Sequence, residues 1–378
     1  MTWHTARLGD VITLKRGHDL PDSQRKDGEV PVVSSSGITG RHSEPKAIAP
    51  GVVTGRYGTL GEVYYIEEDY WPLNTALYVT NFKGNHPRFV AYFLQNVLRD
   101  YKSDKAAVPG VNRNVLHELE VLCPNTKIQE RIADILSAYD DLIENNRRRM
   151  ALLEEAARQL YREWFVRLRF PGHEHTRFVD GVPEGWERKR ISDVADCVGG
   201  GTPSTTVSTF WEDGDVTWVT PTDVTNNKHF VFLDTAKKIT AAGLQSSSAK
   251  LVPPHAILMT SRASVGFFAV AGREVCTNQG FISIVTEDPT LSHYLLFHLS
   301  ERVEEIRAMG SGSTYPEVSR GKFREFQVLV PRHTLTISFC EQTTELLRQI
   351  RVLKQQNQQL RAARDLLLPR LMSGGIVV

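Results

Sequence analysis

Arginine and carboxamide side chains recur at matched places in this 378-residue chain. Arginine can bond guanine through two parallel hydrogen bonds, and asparagine or glutamine can do the same with adenine. Thr54-Gly55-Arg56-Tyr57-Gly58 aligns with Thr260-Ser261-Arg262-Ala263-Ser264, and Asn74-Thr75 aligns with Asn278-Gln279. Ser34-Ser35-Ser36-Gly37 and Thr220-Pro221-Thr222-Asp223 end β-like runs, where loops on a rigid scaffold project side chains. Arg113 and Arg320 follow matched turns and suit either a phosphate or a carboxylate of their own domain. The candidate nucleic-acid contacts are therefore Ser34, Ser35, Ser36, Arg41, Arg56, Tyr57, Thr59, Asn74 and Arg113 in the first half. In the second half they are Thr205, Thr220, Thr222, Asp223, Arg262, Ser264, Asn278, Gln279, Tyr315 and Arg320. Singly, each is also explained as loop decoration; recurrence in both halves is what favours readout.

Signals for catalysis are sparse. Gly55-x-x-Gly58-x-x-Gly61 has the wrong spacing for a dinucleotide fingerprint, and no Gly-Lys-Ser/Thr follows Gly199-Gly200-Gly201. Val252-Pro253-Pro254-His255 does not match an amino-methyltransferase motif. His173 and His175 lack companion ligands. Pro21-Asp22 followed by Glu44-Pro45-Lys46 satisfies a loose nuclease pattern, in which two carboxylates hold a divalent ion and a lysine steadies water. A proline between the carboxylate and the lysine argues instead for a polar loop.

The elements that must position these residues come in two copies. Trp3 to Val11 returns as Trp186 to Val194, Val108 to Arg113 as Tyr315 to Arg320, and Leu122-Cys123-Pro124 as Leu329-Val330-Pro331. Each copy has β-like runs (51–54, 62–66 and 76–79; 256–260, 267–270 and 281–285) and a short amphipathic helix near 87–101 or 291–309. No proline interrupts 125–170 or 332–368, and apolar residues recur there at steps of three and four. The expected stripe holds Ile128, Ile132, Ile135, Tyr139, Leu142, Leu153, Ala156 and Leu160, then Phe339, Leu346, Ile350, Leu353, Leu360 and Leu367, with Asn146 and Asn357 as register-setting polar positions. This predicts an α+β protein in which mixed-sheet domains with short helices (1–124 and 186–331) are separated by two long helices. Those helices (125–170 and 332–378, with a 171–185 linker) are expected to pack as an antiparallel coiled coil with a pseudo-twofold repeat. The second domain is longer, chiefly between Phe210 and Leu251.

Hydrophobic content of 41% and charged content of 24% are those of a soluble globular protein. No signal peptide or membrane span is legible, so a cytoplasmic location without membrane partners is expected. The four cysteines have no paired spacing and read as reduced thiols. A net charge of +1 leaves any phosphate-binding surface to local segregation of charge.

The chain resembles the specificity subunit of type I restriction-modification enzymes over essentially its whole length. The resemblance rests on Gly55-Arg56-Tyr57-Gly58-Thr59-Leu60-Gly61 leading to Trp71-Pro72-Leu73-Asn74-Thr75, and on Gly200-Gly201-Thr202-Pro203-Ser204 leading to Trp218-Val219-Thr220-Pro221. Pro183-Glu184-Gly185-Trp186 and Gln129-Glu130-Arg131-Ile132 add to it. It implies a non-catalytic subunit of a methyltransferase/endonuclease complex whose two target recognition domains each read half of an asymmetric, bipartite double-stranded DNA site. The helices would fix the spacer and dock two methyltransferase subunits, with restriction/translocase subunits joining for cleavage. S-adenosylmethionine, ATP and Mg would belong to those partners, and no cofactor to this chain. Rival readings are the specificity subunit of a related restriction system, a stand-alone nuclease using Asp22, Glu44 and Lys46, and a protein-binding coiled-coil scaffold.

Overall fold

The computed structural model describes residues 3–56, 61–99, 111–235, 237–311 and 316–378, which group as one unit of 1–144 with 357–378 and a second of 145–356. In the first unit, β1 (Trp3–Arg7) pairs antiparallel with the late strand β9 (Glu120–Pro124), Trp3 opposite Pro124. Between them run β2 (Thr13–Arg16), β3 (Val30–Ser34), β4 (Gly37–His42), β5 (Gly51–Gly55), β6 (Val63–Ile66), β7 (Trp71–Pro72) and β8 (Ala76–Asn81). They form a four-stranded antiparallel sheet in the order β2-β8-β5-β6 and a three-stranded sheet β4-β3-β7, in which β3 and β7 are parallel. Leu14, Val52, Leu77 and Val79 from one sheet face share a core with Phe89, Val90, Phe93 and Leu94 of α1 (Pro87–Arg99). The short α2 (Arg113–His117) begins where the Asn112 side chain accepts from Asn114 N, and α3 (Thr126–Tyr161) follows β9.

The second unit repeats this plan. β10 (Glu187–Arg190) pairs with β19 (Gln327–Val330) as β1 does with β9. β11 (Asp196–Gly199), β12 (Val216–Val219), β13 (Val231–Phe232), β14 (Lys238–Ile239), β15 (Ile257–Thr260), β16 (Phe268–Ala271), β17 (Cys276–Thr277) and β18 (Phe281–Val285) make two sheets, β11-β18-β15-β16-β13 and β14-β12-β17. The extra strand β13, parallel to β16, lies in the longer segment noted between Phe210 and Leu251. That segment also holds α4 (Pro221–Thr225), opened by proline and a Thr220/Asp223 capping box. α5 (Pro289–Glu301) covers the sheet as α1 does, α6 (Arg320–Arg324) matches α2, and α7 (His333–Met372) is the second long helix.

Both long helices turn residues inward in a strict alternation of three and four, the seam pattern of paired helices. In α3 these are Gln129, Ile132, Leu136, Tyr139, Ile143, Asn146, Met150, Leu153, Ala157 and Leu160. In α7 they are Thr336, Phe339, Thr343, Leu346, Ile350, Leu353, Asn357, Leu360, Arg364, Leu367 and Leu371. The expected stripe needs a correction: Ile135 and Leu142 are 36% and 44% exposed, and Ala156 is exposed too. Each sits one position before a seam residue, Leu136, Ile143 and Ala157 respectively, and the seam begins at Gln129, which counting apolar residues passes over. Asn146 and Asn357 are 1% and 4% exposed.

Within the first unit the helices run antiparallel: Asn357 Nδ2 donates to Ile143 O at 3.2 Å, Arg364 pairs with Asp140, and Ile132 and Leu136 share a core with Leu368 and Leu371. The second unit has the same sense, with Met150 against Leu347, Ile350 and Leu353. Its aromatic centre sets Phe339 against Tyr161, Trp164 and Phe165, with ring centroids 6.1, 6.1 and 5.1 Å away. The helix and domain borders expected at 170, 185 and 331 differ from this division. α3 ends at Tyr161 in a single π-type turn, Arg162–Val166. Phe170 and Trp186, which flank the expected linker, pack with tilted rings whose centroids are 5.4 Å apart in the second core.

Candidate nucleic-acid interface

The polar strand ends converge because backbone hydrogen bonds tie them into a row. In the first unit His18 N donates to Pro72 O at 2.7 Å, Asn74 N to His18 O at 3.0 Å, Arg56 N to Thr75 O at 2.9 Å, and Val111 N to Arg56 O at 2.9 Å. The row thus runs from His18 through Asn74 and Arg56 to Arg113. In the second unit Gly201 N donates to Thr277 O at 2.8 Å, Ser261 N to Gly280 O at 2.8 Å, and Val318 N to Ser261 O at 3.0 Å. That row runs from Gly201 and Thr202 through Asn278–Gly280 and Arg262 to Arg320. Gly17 and Gly200 make the first bend possible: a Cβ at either would lie 2.1 Å from a backbone oxygen, of Leu73 or Asn278.

The side chains along the rows differ. In the first, Asn74 Nδ2 donates to Asp19, and the Lys46 ammonium stands 5.1 Å from the Trp71 ring. The His18 ring lies 3.2 Å from the Tyr78 hydroxyl. Burial, then the positive charges of Lys15 and Lys46, lower its pKa, which keeps it neutral near pH 7. Ser35 and Ser36 form the β3–β4 turn, where Ser34 Oγ accepts from Ser36 N at 3.1 Å. In the second row Thr202 bonds Gln279, and Asn278 Oδ1 accepts from Gly280 N at 2.9 Å.

Several candidates have work inside their own domain. Thr220 and Asp223 cap α4, with Thr220 N donating to Asp223 Oδ2 at 2.8 Å. Arg262 pairs with Glu317 at 2.7 Å, Arg41 with Glu29 at 3.5 Å, and Ser264 O accepts from the Thr260 hydroxyl. Thr205, Thr222, Gln279, Arg113 and Arg320 are exposed. Tyr57, Thr59 and Tyr315 lie outside the described residues, as do Val108-Pro109-Gly110. His18, Lys46, Thr202 and Glu317 join the rows although none was among the candidate nucleic-acid contacts; the triple glycine before Thr202 was the one available signal for that role.

Nothing gathers as a metal centre among the described residues. At the loose nuclease pattern, Asp22 sits in an exposed 3-10 turn and pairs with Arg25 at 2.8 Å. His173 Nδ1 contacts Phe170 O at 2.8 Å. No helix among the described residues is long and apolar enough to cross a membrane.

The type I restriction modification DNA specificity domain matches residues 1–155 and again 183–336. The chain is similar to the HindI type I restriction enzyme specificity subunit of Haemophilus influenzae, 24% identical over 73% of this chain and 73% of that one. It is also 34% identical to the MjaIX specificity subunit of Methanocaldococcus jannaschii over 40% of this chain, spanning only 36% of that protein. In fold it resembles the crystal structure of a type I restriction-modification S subunit from M. genitalium, with a TM-score of 0.59 and 16% identity, covering 98% of this chain and 96% of the other.

Proposed function

Because the chain belongs to the type I restriction modification DNA specificity family, we propose that it is the sequence-reading subunit of such a complex. Each domain reads one half of a bipartite double-stranded DNA site through its row of strand-end side chains. The observation that carries this is a hydrogen-bonded row recurring in both domains, closed through Arg56 in the first and through Ser261 in the second, with unlike side chains beside it: Asp19 and Lys46 in one, Thr202 and Gln279 in the other. Similar scaffolding with unlike neighbouring side chains reads unlike half-sites, so the target is asymmetric. Base edges are met by the carboxamides and hydroxyls; Arg113 and Arg320 hold phosphates.

The long helices set the unread spacer and dock two methyltransferase subunits, with restriction/translocase subunits joining them in the cytoplasm. Support for docking is apolar surface outside the seam: Leu366, 72% exposed, with Ile135 and Leu142 in the first unit, and Leu152, 71% exposed, with Val352 in the second. The chemistry that uses S-adenosylmethionine, ATP and Mg belongs to the partners. The test is to reconstitute the chain with its modification subunits and map the methylated bases genome-wide. An asymmetric two-part motif with a fixed gap is expected. A continuous or palindromic motif, or Mg-dependent cleavage by the purified chain alone, refutes the reading.

A further inference from the structure

The second domain contains a polar cluster that neither the seam nor the core requires. Glu154, on α3, is 6% exposed. Its Oε2 accepts from Phe230 N at 2.9 Å and lies 3.3 Å from His229 Nδ1, while its Oε1 accepts from Arg158 at 2.9 Å. The Arg158 guanidinium covers the Phe230 ring at 4.1 Å. Lys354, on α7, donates to Val231 O at 2.7 Å and to Asn227 Oδ1. Around these polar groups Met150, Leu347, Ile350 and Leu353 pack against Val231.

Asn227 is two residues beyond α4. Asn226 N donates to Thr222 O at 3.0 Å and Asn227 N to Val224 O at 3.1 Å. The start of that helix is Thr220-Pro221-Thr222-Asp223, and Asn278 N donates to Val219 O at 3.0 Å just before it. One short helix therefore connects the candidate reading row to the long helices. We infer that Lys354 and Glu154 are positioning residues: they clamp Asn227–Val231 and so fix the height and angle at which Thr220–Asp223 meets the DNA. This rests on the DNA-reading function proposed above.

The physical case is the cost of the cluster. A methionine would fill the position of Lys354 without desolvating an ammonium, and buried charged groups are weak contributors to stability. Burial pulls the Lys354 pKa down to about 8, offset in part by Glu154. Burial would raise the Glu154 pKa, but His229, the Phe230 N–H and Arg158 hold it below the usual value. Both charges are thus kept at neutral pH where apolar packing was available. The clamp is also peculiar to the second domain. The offset that carries Thr126 onto His333, the starts of the two helices, carries Glu154 onto Arg361 and Arg147 onto Lys354, so the related places on the helices hold arginines instead.

The experiment uses the chain reconstituted with its modification subunits and a DNA library randomised in both half-sites, read by sequencing the methylated fraction. Lys354→Met, Asn227→Ala and the double variant are compared with the parent. Expected are an about tenfold loss of base discrimination in the half-site read by the second domain and unchanged discrimination in the other. The double variant should lose less than the sum of the two single ones, because both remove the Lys354–Asn227 bond, while Lys354 alone also holds Val231 O and Asn227 alone also holds His229 O. Lys354→Arg, which keeps the donors, should recover discrimination. Unchanged discrimination, or an equal loss at both half-sites that follows a lowered melting temperature, overturns the proposal. Should Lys354→Met not fold, Asn227→Ala decides alone by the same criteria. A parent complex without base preference at either half-site instead refutes the DNA-reading function, and the positioning role falls with it.

Discussion

If the long helices measure the gap between half-sites, lengthening them must lengthen the gap by a calculable amount. The place to do so is the boundary between the units: seven residues inserted between Glu144 and Asn145, and seven between Gln356 and Asn357. Seven is the period of the seam, so the alternation of three and four continues on both sides and every contact within each unit is kept. At ~1.5 Å per residue the insertion adds ~10 Å of helix. At ~3.4 Å per base pair along one strand of duplex this is about 3 base pairs. The assay is methylation of a library whose half-sites are fixed and whose spacer length varies, using the reconstituted complex. The preferred spacer should grow by about 3 base pairs with half-site sequences unchanged. A four-residue insertion, which breaks the alternation, should lower melting temperature and broaden spacer preference. An extended protein that still prefers the original spacer, while melting like the parent, refutes the idea that helix length sets the gap.

Other consequences are open to direct measurement. Arg113→Ala and Arg320→Ala should each weaken DNA binding to all sequences alike and reduce the slope of log affinity against log salt by about 0.9; a loss confined to one base position would show that the side chain reads sequence. His293 and His298 are buried, and burial lowers their pKa values to about 4 and about 3, aided by His255 for the first and by Arg302 for the second. Because both folded values lie below the unfolded value, the fold gains from neutral rings above about pH 6.5 and loses that gain as pH falls toward 4 and 3. Each ring should cost roughly 2–3 kcal/mol by pH 4.5. Differential scanning calorimetry should show His293→Gln flattening the fall in melting temperature between pH 6.5 and 4.5. An unchanged fall would place the acid sensitivity elsewhere.

The repeat, the α+β class and the two long helices were legible because duplication and proline-free periodicity survive in the letters. The seam of the second helix was legible throughout, and that of the first was missed by one position at Ile135, Leu142 and Ala156. Ile135 and Leu142 are no more hydrophobic than Leu136 and Ile143 beside them, so residue type alone could not choose between the pairs; the spacing from Ile132 and Asn146 does. At the candidate interface the sequence marked the strand ends but could not separate side chains that face outward from those used for folding. The Thr220/Asp223 capping box is a local pattern and was readable. The Arg262–Glu317 pair joins residues from different loops, and the Lys354–Val231 bond joins a helix to an inserted strand. Such pairings exist only once the chain has folded.

The division of the chain also dictates an order of events on the ribosome. The apolar stripe of Ile132 and Leu136 is covered by Leu368 and Leu371, which are synthesised more than two hundred residues later. Throughout that interval the nascent first unit carries an unsealed flank, attractive to chaperones and to neighbouring chains. A polypeptide halted before residue 357 should leave the ribosome with its second unit closed and its first still open.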